Sequence, residues 1–167
     1  MFRKLDDFFQ GYGYLTESTG GVFAALTDEN MKQAVARGHR TQGQIAWHIV
    51  ISIPEMMNRT GLKLGSVDHQ TPPPASAAEI AEAYRKASTE LTAAIKARWS
   101  DETLLVTDDM YGQQWPRGAT LSALITHEVH HRGQMTVLLR QAGARVPGVF
   151  GPSKEEWAKM GMEPPPY

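Results

Sequence analysis

The sequence predicts an all-α fold, a four-helix bundle, from three observations. Four long segments place apolar residues at helical spacing. Two of them open on capping-box pairs. No stretch alternates apolar and polar residues over enough length to build a substantial sheet. Four amphipathic helices without a sheet bury their apolar stripes against one another as a bundle.

The first helix is predicted over residues 2–26, with Phe2, Leu5, Phe9, Tyr12, Val22, Phe23 and Leu26 at helical spacing. Gly11, Gly13, Gly20 and Gly21 oppose it, each costing ~1 kcal/mol relative to Ala in a helix interior. The second spans residues 41–59. Thr41 and Gln44 form its capping box, Gly61 stops it, and Pro54 should kink it or remove one hydrogen bond. The third, residues 77–99, follows a Ser76/Glu79 capping box and aligns Ile80, Tyr84, Ala87, Leu91 and Ile95 in one stripe. The fourth opens at Thr120 and closes before Gly143, with Leu124, Met135 and Leu138 on its apolar side. Between these lie a Pro-rich link at residues 62–75 and a segment at 103–118 that reads as a short hairpin or an extended loop. The tail from Val146 holds five of the ten prolines, so only a short helix near 153–160 is expected there.

Composition narrows the function classes. The chain has 167 residues, 41% of them hydrophobic and 21% charged, which suits one soluble domain with a sizeable core. Its formal net charge of −1 comes from 17 basic and 18 acidic residues without a basic run, which argues against nucleic acid as a partner. No apolar run approaches the ~20 residues that span a bilayer. The N-terminal "MFRKLDDFFQ" reaches two Asp before a signal sequence could develop, so a cytoplasmic location is expected. With no cysteine, disulfides, thiolate metal sites and a cysteine nucleophile are excluded.

Three histidines carry the chemistry. His127 and His131, in "THEVHHRGQM", stand one helical turn apart on one face and can aim both rings at a single metal ion. His48, in the apolar second helix, is the candidate third ligand. Three imidazoles leave a coordination position open, which favours catalysis over a closed structural site. The residues alone leave one ambiguity, because His127 with His130 would also make a pair. Protons compete with the metal for these rings, so binding is expected to weaken towards pH ~6.5 and below. His39 and His69 sit in polar, loop-like surroundings and read as surface residues.

The run from His127 to His131 also matches H-E-x-x-H, in which Glu128 would be a protease base. Such sites take a third ligand downstream. No histidine follows His131, and Glu155 or Glu156 would have to serve. A Gly/Pro-rich break intervenes, and no strand is predicted to hold a peptide, so Glu128 is expected to point away from the ion. Gln44, Ser52 and Glu55 share the His48 face, and Gln134 lies three residues beyond His131. These four are candidates to orient ligands or touch substrate, although Gln44 also reads as a cap and Glu55 as a solvated charge. Trp47, Tyr111 and Trp115 read as packing residues, and Arg132 as the partner of a carboxylate elsewhere.

"TQGQIAWHIV" together with "LITHEVHHRGQMTVLLRQAG" resembles the DinB/YfiT superfamily of bacterial four-helix-bundle metalloproteins. "MYGQQWPRGA" and "VPGVFGPSKEEW" extend the likeness over nearly the whole chain, and H-x-x-x-H-R-G-Q is its most specific part. The resemblance implies a single DinB-like domain over residues 1–167, with irregular loops and a Gly/Pro-rich tail. It implies His48, His127 and His131 as the metal ligands and so resolves the pairing in favour of His131. It further implies one divalent ion per chain, zinc or nickel foremost with iron or manganese as options, and a homodimer. Family members include bacillithiol S-transferases, mycothiol-dependent isomerases and hydrolase-like proteins. The expected function is therefore transfer of a low-molecular-weight thiol to a small electrophile. A metal-dependent hydrolase and a non-enzymatic, stress-induced metal-binding protein are its rivals. No nucleic acid or membrane partner is expected.

Overall fold

The computed structural model describes residues 1–166; Tyr167, the last residue of the expected domain, lies outside the described residues. Four helices carry the fold: α1 (Leu5–Ala24), α2 (Gln42–Met57), α3 (Ala77–Arg98) and α4 (Arg117–Gln141). A small antiparallel sheet, β1 (Thr107–Met110) with β2 (Gln113–Pro116), precedes α4.

Each helix forms for a local reason that packing then reinforces. α1 runs unbroken through its glycines because Phe8, Tyr12, Leu15, Val22 and Phe23 are all buried along one side. Tertiary burial outweighs a propensity cost of this size. The Thr41–Gln44 capping box of α2 closes in both directions, and Gly61 ends the following turn at φ 83°. Pro54 sits inside α2, which continues to Met57, so the proline costs a hydrogen bond rather than the helix. Ser76 caps α3 through the Glu79 amide, and Lys96 and Arg98 stand in the last turn, where positive charge suits the helix dipole.

Segment 103–118 resolves into a hairpin, and α4 starts at Arg117, three residues before the expected Thr120. Tyr111 and Gly112 both take positive φ, 60° and 82°, which is the twist a two-residue hairpin turn requires. β2 then leads straight into α4 through Pro116, whose φ of −60° already suits a helix start. Thr120, expected as the opening residue, is fully buried inside the helix. In the tail, the helix expected near 153–160 shortens to a 3₁₀ turn over Trp157–Met160.

α1 and α2 each pack against both α3 and α4. The shared core includes Phe8 and Tyr12 from α1, Val50 and Ile53 from α2, Ile80 and Leu91 from α3, and Leu121 and Met135 from α4. The N-terminal segment is pinned to the start of α4, where the Phe2 amide donates to the Gly118 carbonyl at 3.0 Å. A Cβ on Gly118 would collide with the Phe2 carbonyl oxygen. Gly118→Ala should therefore destabilise the protein by about 1–3 kcal/mol, as overpacked sites do, read as a lower urea midpoint. An unchanged midpoint would mean that the N-terminal segment contributes nothing to stability.

Candidate metal centre

α2 lies along α4, and that contact brings together histidines 79 residues apart in sequence. His48 projects from α2, and His127 and His131 from successive turns of α4. The Nε2 atoms of His48 and His127 are 3.2 Å apart. One ligand nitrogen from each ring lies within 4.8 Å of the others. A tetrahedral zinc with Zn–N bonds of ~2.0–2.1 Å would hold its ligand nitrogens roughly 3.3 Å apart. The ring centroids are 4.9, 4.6 and 4.5 Å apart, and each pair meets edge to face. The three side chains thus fit a single divalent ion.

Gln134 sets the third ring. Its Oε1 accepts from His131 Nδ1 at 2.7 Å, so Nδ1 carries the hydrogen and Nε2 keeps its lone pair for the cluster. The Gln134 amide nitrogen then donates to His130 Nε2 at 3.2 Å, and His130 itself is exposed. His130 therefore stands outside the cluster, linked to it only through this glutamine.

Burial and neighbouring positive charge keep the rings neutral. Burial lowers the His48 pKa to about 4, with His131, Arg40 and His127 acting in the same direction and Glu55 against them. His127 and His131 are also lowered, in each case by burial first. The cluster is thus poised in the deprotonated form that a metal needs. The pH ~6.5 expected from unperturbed histidine is corrected downward, because a buried imidazolium among like charges is disfavoured.

The remaining candidates take other partners. Gln44 is exposed and engaged in its capping box. The Ser52 hydroxyl donates to the His48 carbonyl at 2.6 Å. Glu55 accepts from Arg59 and, at 2.6 Å, from the Tyr111 hydroxyl, which binds the hairpin tip to α2. Glu55 therefore influences His48 and His127 through its charge alone. Trp47 is buried, with its indole N–H donating to Thr71 O at 2.8 Å. Trp115 packs edge to face on Tyr111.

Glu128 points away from the cluster. It is 2% exposed and accepts from the Tyr84 hydroxyl of α3 at 2.6 Å, and burial raises its pKa. Glu155 pairs with Arg140, and Glu156 accepts from the Gly148 and Ser153 amides, so neither stands beside the histidines. The protease alignment thus lacks both its base and its third ligand. Arg132 departs from expectation too. Among the described residues no carboxylate pairs with it, and its guanidinium donates instead to the Leu15 carbonyl at 3.4 Å.

Beside His131 opens a cleft of about 480 Å³. Gln134, His39 and Arg40 supply its other polar groups, and Val35, Ile45, Val137 and Leu138 its apolar walls. His39, expected at the surface, is exposed but lines this cleft. Arg40 had no signal in the sequence, because it lies in a loop and its neighbours across the cleft are about a hundred residues away.

A helical bundle that gathers three neutral imidazoles from facing helices beside an open cleft has the architecture of a bundle metalloprotein. The chain belongs to the DinB family, whose model matches residues 1–165. It is 44% identical over 165 residues to the uncharacterized protein YrdA of Bacillus subtilis (strain 168), covering 99% of each chain. It superposes with a TM-score of 0.86 and 44% identity on the crystal structure of a DinB-like protein from Bacillus cereus ATCC 10987, covering 90% of this chain and all of that one. The DinB-like protein YjoA of Bacillus subtilis shares the fold, with a TM-score of 0.69 at 17% identity, over 86% of this chain and 96% of that one.

The depressed pKa of His48 has a thermodynamic consequence for the metal-free protein. Its folded value of about 4 lies below the ordinary 6.5. Between those values the unfolded chain binds a proton that the folded chain does not, so stability falls as pH is lowered through that window. The guanidinium midpoint of the metal-free protein should drop between pH ~6.5 and ~4, more steeply than in His48→Gln. Equal slopes would show that His48 keeps an ordinary pKa.

Proposed function

We propose that the protein is a divalent-metal-dependent enzyme that transfers a low-molecular-weight thiol to a small electrophile. The observation that carries this reading is the convergence of His48, His127 and His131 beside a cleft, in a chain without cysteine. When bound by these three rings, zinc or nickel would supply a Lewis acid that lowers the pKa of a thiol or a water presented to it.

The chain's own residues supply the rest. Gln134 holds His131 in the tautomer that presents Nε2. Ser52, bonded to the His48 carbonyl, leaves the His48 ring free of a competing partner on α2. Ile45 and Leu138 wall the cleft with apolar surface, which excludes water from one side of the reacting groups. No side chain offers a thiolate, so the reacting sulfur belongs to the cosubstrate.

Protein purified without a histidine tag should carry about one divalent ion per chain, measured by elemental analysis. His48→Ala, His127→Ala and His131→Ala should each lower metal affinity by orders of magnitude. Gln134→Ala should cost about 10–100-fold, the usual effect of losing a hydrogen bond behind a ligand. His130→Ala should cost less than either. Equal losses for His48→Ala and His130→Ala would overturn the ligand set.

The transfer reading is tested by spectroscopy. Adding small thiols to cobalt-substituted protein should change its visible absorption spectrum. If no thiol does so, the transferase reading loses its chemistry, and hydrolysis or a non-enzymatic metal-binding role takes its place.

A further inference from the structure

The cleft beside His131 has one charged wall. Arg40 lines it, and among the described residues no carboxylate does. Arg40 forms no ion pair with any described residue. Its position is not that of a stray surface charge, because it lines the same cleft as His131 and Gln134. It directly precedes Thr41, whose capping box anchors α2, so the backbone at this wall is held in place. The rest of the lining is largely apolar. Val137 of α4 is 55% exposed and Val35 of the loop is 64% exposed, yet both face the same cleft. A largely apolar cleft that also holds a guanidinium without an ion pair among the described residues suits an amphiphilic anion. A guanidinium is always charged at neutral pH and takes a carboxylate through two parallel hydrogen bonds.

We propose that the cleft binds a small molecule with a short apolar body and an anionic end, of which a carboxylate is the simplest, and that Arg40 receives the anion. This names the substrate class of the proposed thiol-transfer site and rests on that reading for the placement of the thiol, not for the anion. The anion would lie towards Arg40 and the loop, with the apolar body along Val35 and Val137 and the far end at His131. In the metal-loaded protein no carboxylate of the lining would offset the positive charge, which draws anions into the cleft before any contact forms. Arg40 is then a specificity residue, and discrimination against neutral analogues depends on it.

The test uses zinc-loaded protein and isothermal titration calorimetry with matched probes. These are 3-mercaptopropionate and 6-mercaptohexanoate, the corresponding mercapto-alcohols, and hexanoate, which has no thiol. At least one mercapto-acid should bind about tenfold more tightly than its alcohol, the scale of one charge-assisted hydrogen-bonding contact. Arg40→Ala should remove that preference, and Arg40→Lys should restore part of it. Zinc content and the thermal midpoint should stay unchanged in both variants, because Arg40 is exposed and holds no other residue. Equal affinity for acids and alcohols, with no effect of Arg40→Ala, would overturn the anion proposal and leave the thiol reading standing. Arg40-dependent binding of hexanoate to metal-free protein, with no thiol effect in the loaded protein, would support the anion proposal and remove the thiol reading. No binding of any probe would overturn both.

Discussion

The packing of α2 against α4 is the constraint on which the site depends. Along these two helices Ile45, Ile49 and Val50 of α2 and Leu124, Met135 and Leu138 of α4 are buried. Burying each such side chain contributes about 1.5–3 kcal/mol, an upper range for area removed from water. That apolar contact holds three imidazoles with two of their nitrogens 3.2 Å apart. Neutral rings in a half-buried place are tolerable, whereas three imidazolium ions would repel one another. The lowered pKa values record that penalty. The cluster is prepared, with its rings neutral and gathered by a contact that needs no metal.

The same helix turns a second polar face to the core. Glu128 follows His127 by one residue, about 100° round the helix, and there it meets Tyr84 of α3. Arg132, one turn on, reaches the Leu15 carbonyl of α1. These buried groups register α4 against α3 and α1 while the histidines face α2. A small rotation of α4 would break the Tyr84 bond and swing His127 from His48 together. The H-E-x-x-H pattern thus arises where two unrelated demands on one helix happen to interleave.

The cleft is assembled differently. One wall is α4 from His131 to Leu138; the other is the loop before α2, which carries His39 and Arg40. An isolated bridge between Ala34 and Thr41 and the Gln42 amide bonded to the Gln33 carbonyl at 2.7 Å fasten that loop. The site therefore combines histidines held on rigid helices with a loop-borne charge, an arrangement in which the loop can set selectivity without disturbing the cluster.

Helix positions were legible wherever short-range rules govern them. The capping box at Thr41, the one-way cap at Ser76 and the stops at Gly61 and Gly143 act within one turn. The i,i+4 spacing of His127 and His131 reflects helical geometry alone, so their shared face followed from the sequence. The start of α4 was misplaced because the hairpin runs into it, which no cap residue announces. The choice of His131 over His130 needed the family likeness. In the structure His131 joins the histidine cluster and His130 is exposed. What the sequence by itself determined was periodicity, caps and the histidine inventory, all local properties of the chain. Only the tertiary structure decided the neutrality of the rings, the inward turn of Glu128, the bond from Gln134 and the place of Arg40 in the cleft. Each of these is a contact or a field between segments far apart in the chain, and no local pattern encodes it.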